Sequence, residues 1–276
     1  MVLVRDVLTW LDLYAPFRYA ESWDECGFQV GDPEAAVKRI LVALDPSSAT
    51  LSEAEERECQ CLVTHHPLLF QPLRAVRKDQ FPGNLVIRAL FNGIHVIAAH
   101  TNLDNAKGGT NDELGRILSV HRMQPLESDD SRQQEERYAG MGRVGFLSQT
   151  MSFKDLVEKT IRALGGIPVR AVGDAEKQVY RVALCSGSGG SLMEQAIRAG
   201  SDVFITGDIK YHDAQRAVEA GLALIDVGHF ASEKIVVRPL AAFLRTQAAA
   251  RHEVLEVFEA GVERDPFWHR VRDGNF

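Results

Sequence analysis

The chain has 276 residues, of which 45% are hydrophobic and 25% are charged, and its formal net charge is −7. This length suits one large α/β domain or two smaller lobes, and the composition is that of an ordinary globular protein. The acidic balance argues against a general nucleic-acid-binding surface, because neutralising phosphates requires an excess of Lys and Arg.

Several features of the sequence predict a cytoplasmic protein that does not associate with a membrane. No apolar run approaches the roughly 20 residues that a membrane-spanning helix needs. The first residues lack the basic start, long apolar stretch and cleavage site of a secretory signal. None of the cysteines lies in a C-x-x-C pair, so we expect buried, reduced thiols at Cys26, Cys59, Cys61 and Cys185.

Apolar periodicity predicts alternating helices and strands in the first half of the chain. Helices are expected at residues 4–14, 48–59, 84–92 and 112–118. Strands are expected at residues 40–45, 61–64 and 96–99. Residues 127–137 are polar and charged without apolar periodicity, which predicts a linker or an exposed excursion.

The alternation resumes after this polar stretch. Strands are expected at residues 142–147, near Val169 and Val182, and at residues 203–206 and 223–227. Helices are expected at residues 153–164, 191–199, 211–220 and 233–248. The pattern predicts an α/β fold of two related lobes with a mainly parallel, layered sheet. The expected lobes are residues 1–125 and 139–276, which a polar linker at 126–138 joins into one functional unit.

Four of the predicted strands end in residue types that bind metals or transfer protons. These residues are His65-His66, His100 with Asp104, Asp208, and His229 with Glu233. The carboxyl ends of parallel strands line one crevice in an open α/β sheet, and ligands bind there. We therefore expect one shared site between the lobes, rich in the imidazole and carboxylate groups of a metal centre.

The donor set exceeds what one four-coordinate structural zinc requires and fits two divalent cations roughly 3.5–4 Å apart. The expected ligands are His65, His66, Asp104, His229 and Glu233. Zinc, iron, manganese and nickel all remain open, because mixed nitrogen and oxygen ligation suits each of them.

Each part of this ligand set also has a structural alternative. One of the adjacent histidines could be buried and the other exposed, although Pro67 breaks the strand so that both could serve one site. Asp104 could cap a helix, and Glu233 could stabilise a helix dipole with Ser232 as the N-cap.

Two further segments are candidates for substrate contacts. The loop residues Ser186, Gly187, Ser188 and Gly189 open a predicted helix and could present free N–H groups to a phosphate, or could form a plain tight connection. Candidate acids, electrophiles or proton carriers are His100, Asp208, Lys210 and His212. His100 could instead be a ligand or orient one, and the last three could simply form a polar helix N-terminus.

These residues carry a resemblance to the NIF-three-like dinuclear-metal-centre family, whose members are also called GTP cyclohydrolase I type 2 homologues. The matching segments are residues 64–70, 100–104, 108–112, 185–189, 205–212 and 226–233. The resemblance implies two α/β lobes, the five ligands named above and a ring-shaped homo-hexamer with metal sites facing its interior. The family name also implies a cyclohydrolase, which opens a purine ring with a metal-activated water.

The chain departs from the family pattern at two places. The pattern Trp-Asp-Asn-x-Gly is Trp23-Asp24-Glu25-Cys26-Gly27 here, and an aromatic residue usually written Tyr is Phe230. The first change exchanges an amide for a charge and could alter substrate preference. The second removes a hydroxyl.

The residues and the resemblance together predict a dinuclear-metal-dependent hydrolase. Its substrate would be a nucleotide or another small phosphorylated or amide-bearing molecule. The alternative is a non-enzymatic, metal-binding hexameric scaffold or regulatory protein, which a coordination shell without an open position would favour. A ring that binds DNA or RNA is not expected, because Arg74, Arg77 and Lys78 alone cannot form its basic surface.

Overall fold

A computed structural model describes residues 1–128 and 138–268, which form a mixed α/β fold. The strands are β1 Val2–Leu3, β2 Gly27–Val30, β3 Ala36–Val37, β4 Arg39–Ala43, β5 Cys61–Thr64, β6 His95–Ala98, β7 His121–Ser128, β8 Gly140–Ser152, β9 Arg170–Val172, β10 Gln178–Leu184, β11 Val203–Thr206, β12 Ala223–Asp226 and β13 Glu256–Glu259. The α-helices are α1 Val4–Tyr14, α2 Ser48–Glu56, α3 Gly83–Phe91, α4 Thr101–Asn105, α5 Thr110–Ile117, α6 Phe153–Ala163, α7 Met193–Arg198, α8 Tyr211–Glu219, α9 His229–Glu233 and α10 Val237–Ala250.

Two larger sheets organise these elements. The first sheet has five strands in the order β13-β4-β5-β6-β2, and the second has six in the order β7-β8-β10-β11-β12-β9. The short strands β1 and β3 pair with each other. The central strands of both sheets are parallel, whereas β2, β7, β8 and β9 pair antiparallel with their neighbours.

The predicted parallel character therefore holds for the first sheet except at β2, and in the second sheet only for β10-β11-β12. The parallel pairs β4-β5 and β5-β6 are joined by helical crossovers through α2 and α3, and β10-β11-β12 by crossovers through α7 and α8. β7 and β8 are consecutive among the described strands and pair antiparallel. A buried antiparallel strand is difficult to distinguish from a parallel one by apolar pattern alone.

The central strands read as continuous apolar runs because helices cover both faces of each sheet. On β4, Ile40 and Val42 face the core formed with α1 and α10, whereas Leu41 and Ala43 face the core formed with α2 and α3. In the second sheet, one core includes α5 and α6 and the other includes α7 and α8. This burial fixes the strand ends, on which the candidate site depends.

The predicted polar linker coincides only partly with the described residues. Residues 129–137 lie outside them, whereas His121–Ser128 forms β7 and joins the second sheet. Near the C-terminus, Glu256–Glu259 returns to the first sheet and pairs with β4. The two sheets therefore do not divide the chain at the predicted lobe boundaries, and those boundaries stay a prediction.

The predicted start of the last long helix is wrong. Its first residue is Val237, and Ser232 lies inside the short helix α9 rather than at an N-cap. The Ser232 hydroxyl instead donates to carbonyl oxygens of Gly228 and His229 and accepts the N–H of Gly187. Glu233 therefore occupies the end of α9, one turn of chain before α10. Within the described residues, no helix combines the length and apolar character needed to cross a membrane.

Candidate metal centre

Residues that follow strands of both sheets meet in one cluster. His65 and His66 follow β5, and Asp104 lies on α4 after β6 in the first half of the chain. His229 and Glu233 lie on α9, which follows β12 of the second sheet. The Nε2 atoms of His66 and His229 are 3.4 Å apart, so the cluster joins the two sheets.

Glu233 is the carboxylate on which the histidines converge. Its Oε2 lies 2.9 Å from Nε2 of His66 and 2.9 Å from Nε2 of His229. Its Oε1 lies 3.8 Å from Nε2 of His65, which is also 3.6 Å from Oδ1 of Asp104. All five predicted ligands are therefore brought together.

The donor atoms of this cluster fit a metal ion. Nε2 of His65 and Oδ1 of Asp104 are buried and have no hydrogen-bond partner among the described residues. Buried polar atoms without partners cost free energy, and coordination of a cation would satisfy both. The buried Oε2 of Glu233, which faces ring nitrogens of His66 and His229, could join the same coordination. Two triads also place their donor atoms within 4.8 Å of one another: His65, His66 and His100, and His66, His229 and Glu233.

Each imidazole is held by its Nδ1 atom, which leaves Nε2 for the centre of the cluster. Nδ1 of His65 lies 2.8 Å from the Ala99 carbonyl oxygen, to which it can only donate. The other three Nδ1 atoms contact carboxylates: His66 with Asp45 at 2.7 Å, His100 with Asp24 at 2.9 Å, and His229 with Asp208 at 2.8 Å. Such outer contacts fix ring orientation and tautomer in metal sites.

In the absence of a cation, the charges of the cluster shift the pKa values of its own side chains. Burial would raise the pKa of Glu233, but the imidazoles of His229, His65 and His66 hold it well below its usual range. Burial would lower the pKa of His66, but Asp45 and Glu233 raise it to about 10. Glu233 and Asp208 raise the pKa of His229 to about 9. At neutral pH, Glu233 is thus anionic and His66 and His229 are protonated in the absence of a cation.

Backbone conformation near the cluster admits few other residues. Gly187 has a φ of +64°, and a Cβ atom there would lie 2.1 Å from Oε1 of Glu233. Asp208, which holds His229, has a φ of 56°, a left-handed conformation that costs free energy for a residue with a side chain. These positions are restricted by the geometry of Glu233 and His229.

The glycine-rich loop, which was predicted as a phosphate cradle, uses three of its amides within the protein. The N–H of Ser186 donates to Asn111, that of Gly187 to Ser232, and that of Gly189 to Thr206. These three donors are therefore committed within the protein, and the helix that follows has only six residues. Ser188 remains exposed on the cavity wall.

The four predicted proton carriers separate in the structure. His100 lies beside His65 and His66, and Asp208 contacts His229 from outside the cluster. Lys210 is exposed before α8 and does not line the cavity described next. His212 contacts Gln215 and lines a different groove with Arg216, because its position on α8 directs it away from the cluster.

A cavity of about 1060 Å³ opens onto the cluster. Its walls include His66, His100, Asp104, His229 and Glu233. Trp23 and Phe70 add an aromatic wall in which each ring centroid lies within 6.4 Å of the His100 ring centroid. The cavity is of a size that accommodates a small molecule.

Sequence reasoning did not assign a role to Asp45 or Asp24, although each holds a histidine of the cluster. Asp45 ends the predicted strand at residues 40–45 and so carried the same strand-end signal as the assigned ligands. Asp24 lies in the segment Trp23-Asp24-Glu25-Cys26-Gly27, which was compared with the family pattern without assigning a role to the aspartate. At the two departures from the family pattern, Glu25 is exposed outside the cavity wall and Phe230 packs against the first core.

Comparisons with known proteins identify relatives of this chain. A Clostridium acetobutylicum protein named GTP cyclohydrolase 1 type 2 homolog is 36% identical over 230 residues, which is 83% of this chain and 85% of that protein. A hypothetical protein of Staphylococcus aureus of known structure has a TM-score of 0.89 at 28% identity, covering 97% of this chain and 99% of its own.

A Bacillus cereus protein related to NIF3 shares the fold, with a TM-score of 0.90 at 22% identity over 98% of this chain and 99% of its own. The family model for Duf34/NIF3 (NGG1p interacting factor 3) matches residues 2–266. The match spans nearly the whole chain, including every residue of the cluster. The chain therefore belongs to the Duf34/NIF3 family.

Proposed function

We propose that this chain is a hydrolase that depends on two divalent cations. The observation that carries the proposal is the convergence of buried donor atoms of His65, Asp104 and Glu233 at the base of a large cavity, where Nε2 of His65 and Oδ1 of Asp104 have no hydrogen-bond partner among the described residues. The ligands would be His65, His66, Asp104, His229 and Glu233. Divalent cations bound there would supply a hydroxide at neutral pH, by lowering the pKa of a bound water from about 15.7 toward 7.

Glu233 is the better candidate for a carboxylate shared by both cations. Its Oε2 contacts His66 and His229, and its Oε1 faces His65 at 3.8 Å. Oδ1 of Asp104 lies 3.6 Å from Nε2 of His65. The two oxygens of Glu233 therefore serve different parts of the donor set.

His100 is the candidate for moving protons between the cluster and a substrate. Its Nδ1 is held by Asp24, which is itself fixed by the N–H and hydroxyl of Thr101 at 3.0 and 2.5 Å. This pairing leaves Nε2 of His100 on the cavity side, beside the rings of His65 and His66. A histidine held by a buried carboxylate can accept and return a proton during hydrolysis.

Arg264 takes the role for which Lys210 and the glycine-rich loop were predicted. It is the one Lys or Arg side chain that lines the cavity in the described part of the chain. Its Nη1 donates to the carbonyl oxygens of Gly261 and Glu263 at 2.8 and 2.7 Å, which fixes the guanidinium plane. We assign it to an anionic group of the substrate, such as a phosphate.

The substrate would be a nucleotide or another small phosphorylated or amide-bearing molecule. GTP is the first compound to test, because relatives carry the name GTP cyclohydrolase 1 type 2 homolog. Trp23 and Phe70 offer aromatic surface for a planar ring. Arg264→Gln should raise the KM for GTP, and Arg251→Gln, whose partner is Gln247 on α10, is the control.

The test combines metal content with hydrolysis. Metal per chain is measured in natively purified protein, and a panel of nucleotides and phosphoesters is assayed before and after chelation. About two metals per chain and activity lost on chelation and in His65→Ala would support the proposal. His121→Ala, at an exposed histidine outside the cluster, should retain both properties. Bound metal without turnover would favour the non-enzymatic scaffold.

A further inference from the structure

The segment at residues 260–266, here called the C-terminal segment, carries a buried carboxylate at the edge of the cavity. The side chain of Glu263 is only 3% exposed, although its neighbours in the segment face solvent. A buried carboxylate needs several donors to offset its lost hydration. The donors around Glu263 therefore show which parts of the protein the segment contacts.

Glu263 binds two backbone amides and one ammonium group. Its carboxylate accepts the N–H of Leu44 at 2.9 and 3.1 Å and the N–H of Asp45 at 2.8 Å. It also pairs with the ammonium group of Lys234, which donates to the Ala260 carbonyl oxygen at 3.2 Å. Charge-assisted hydrogen bonds of this kind are stronger than those between neutral groups.

These contacts connect Glu263 to residues of the candidate metal centre in both halves of the chain. Asp45, whose N–H Glu263 holds, contacts Nδ1 of His66 at 2.7 Å. Lys234, the counter-charge of Glu263, directly follows the ligand Glu233 in sequence. One carboxylate thus links the loop that orients a ligand of the first half to the chain that carries a ligand of the second.

We propose that Glu263 is a positioning residue that sets the geometry of His66, through Asp45, relative to Glu233, through Lys234. This inference rests on the proposed metal centre. A neutral side chain at this position would lose the attraction to Lys234 and weaken both amide contacts. Asp45 would then hold the His66 ring less firmly, and the cluster would bind a cation less tightly.

A second buried glutamate, Glu53, serves as a matched control, because it holds the C-terminal segment in place without contacting the cluster. Glu53 is also buried, and it accepts the N–H groups of Gly261 and Val262 at 2.9 and 3.2 Å. It therefore fixes the same segment, but its other partner is Arg57 rather than a residue next to the cluster. Glu53→Gln should loosen the segment without disturbing His66.

The first measurement is the affinity of each metal-free variant for Zn²⁺, by competition with a chelating dye. We expect Glu263→Gln to bind Zn²⁺ on the order of 10-fold more weakly than wild type, as loss of an outer contact commonly does. Glu53→Gln should bind as wild type does. In a double-mutant cycle, Asp45→Asn should add little to Glu263→Gln, because both act on the same contact to His66.

The second measurement is hydrogen exchange in the metal-free protein. The amides of Leu44 and Asp45 should lose protection in Glu263→Gln and keep it in Glu53→Gln. Equal Zn²⁺ affinity of Glu263→Gln and wild type would overturn the inference, as would additive effects of Asp45→Asn. Failure of wild type to bind Zn²⁺ would instead reject the metal centre. If Glu263→Gln does not fold, Lys234→Gln, which retains the carboxylate on both amides, replaces it in the same comparison.

Discussion

At the scale of single residues, Glu233 is the centre of the candidate site, and Gly187 is the residue that makes room for it. Gly187 and Gly93 share a φ of +64°, but only at Gly187 would a Cβ atom meet a neighbour within 4 Å. It would lie 2.1 Å from Oε1 of Glu233 and 3.4 Å from Nε2 of His229. Comparing alanine substitutions at Gly187 and Gly93 therefore separates the cost of the backbone conformation from a direct effect on the cluster.

We expect Gly187→Ala to weaken metal binding and Gly93→Ala to leave it unchanged. Both variants should lose stability of about 1–3 kcal/mol, because alanine rarely adopts a positive φ. Only Gly187→Ala should also displace the carboxylate that His66 and His229 contact. Thermal unfolding of the metal-free variants and Zn²⁺ titration measure the two effects, and equal Zn²⁺ affinity for both would contradict the role given to Gly187.

Protonation of two cluster histidines predicts how metal binding depends on pH. The pKa of His66 is about 10 and that of His229 about 9 in the absence of a cation, both above the ordinary 6.5. At pH 7.5 a cation must displace these protons. We expect the uptake of metal to release about two protons per chain and to tighten as pH rises toward 9. Calorimetry in buffers of different ionisation enthalpy measures this release, and its absence would contradict the assignment.

The same raised pKa values set the pH dependence of the metal-free fold. Protonation of these histidines stabilises it fully below about pH 6.5, and the contribution is lost as pH rises through 9 to 10. Saturation with metal should remove this dependence, because the bound imidazoles carry no exchangeable proton at Nε2. Thermal unfolding at several pH values distinguishes the two forms.

At the scale of elements, Arg143 joins the second sheet to the helices that follow the first. Its guanidinium lies on β8, is fully buried, and contacts Asp112 on α5 at 2.6 Å. It also donates to the carbonyl oxygen of Ala106, between α4 and α5, at 2.9 Å. Since α4 carries the candidate ligand Asp104, this contact holds that helix against the second sheet.

Arg143→Ala should therefore destabilise the protein by about 3–5 kcal/mol, because it leaves the largely buried carboxylate of Asp112 without its charged partner. Arg116→Ala removes an arginine whose side chain is 69% exposed and pairs with Glu113 on the same helix. That change should cost at most about 1 kcal/mol. Denaturant unfolding of both variants checks the contrast, and similar losses would contradict it.

The apolar pattern of the sequence predicted the candidate ligands at the strand ends, but it assigned no role to the residues that hold them, such as Asp45 and Asp24. His65, His66 and His229 could be expected to lie close together because buried parallel strands fix where their carboxyl ends lie. Glu263 carried no such signal, since it follows β13, which returns to the first sheet only after the whole second sheet is complete. Ser232 was misassigned because its hydroxyl finds partners within α9 and the loop at Gly187.

At the scale of the whole molecule, the cluster depends on both sheets at once. His66 comes from the first half of the chain and His229 from the second, and their Nε2 atoms are 3.4 Å apart. Any motion of one sheet against the other would therefore change the donor geometry. The predicted mainly parallel sheet did not anticipate the antiparallel strands at the edges, but the parallel strands that carry the site were anticipated.

We expect the protein to form a homo-hexamer, as the family resemblance implies. Exposed apolar side chains such as Phe91, which is 88% exposed at the end of α3, provide surface that an assembly could bury. Light scattering on purified protein should give the mass of six chains. The mass of a single chain at micromolar concentration would contradict the expected ring.

The most direct test of the central claim is a crystal structure of natively purified protein with anomalous data collected at metal absorption edges. We predict two anomalous peaks roughly 3.5–4 Å apart, within coordination distance of His65, His66, Asp104, His229 and Glu233. Both peaks should vanish from crystals of chelated protein. A cluster without any peak after Zn²⁺ or Mn²⁺ is added back would contradict the account of this site as a metal centre.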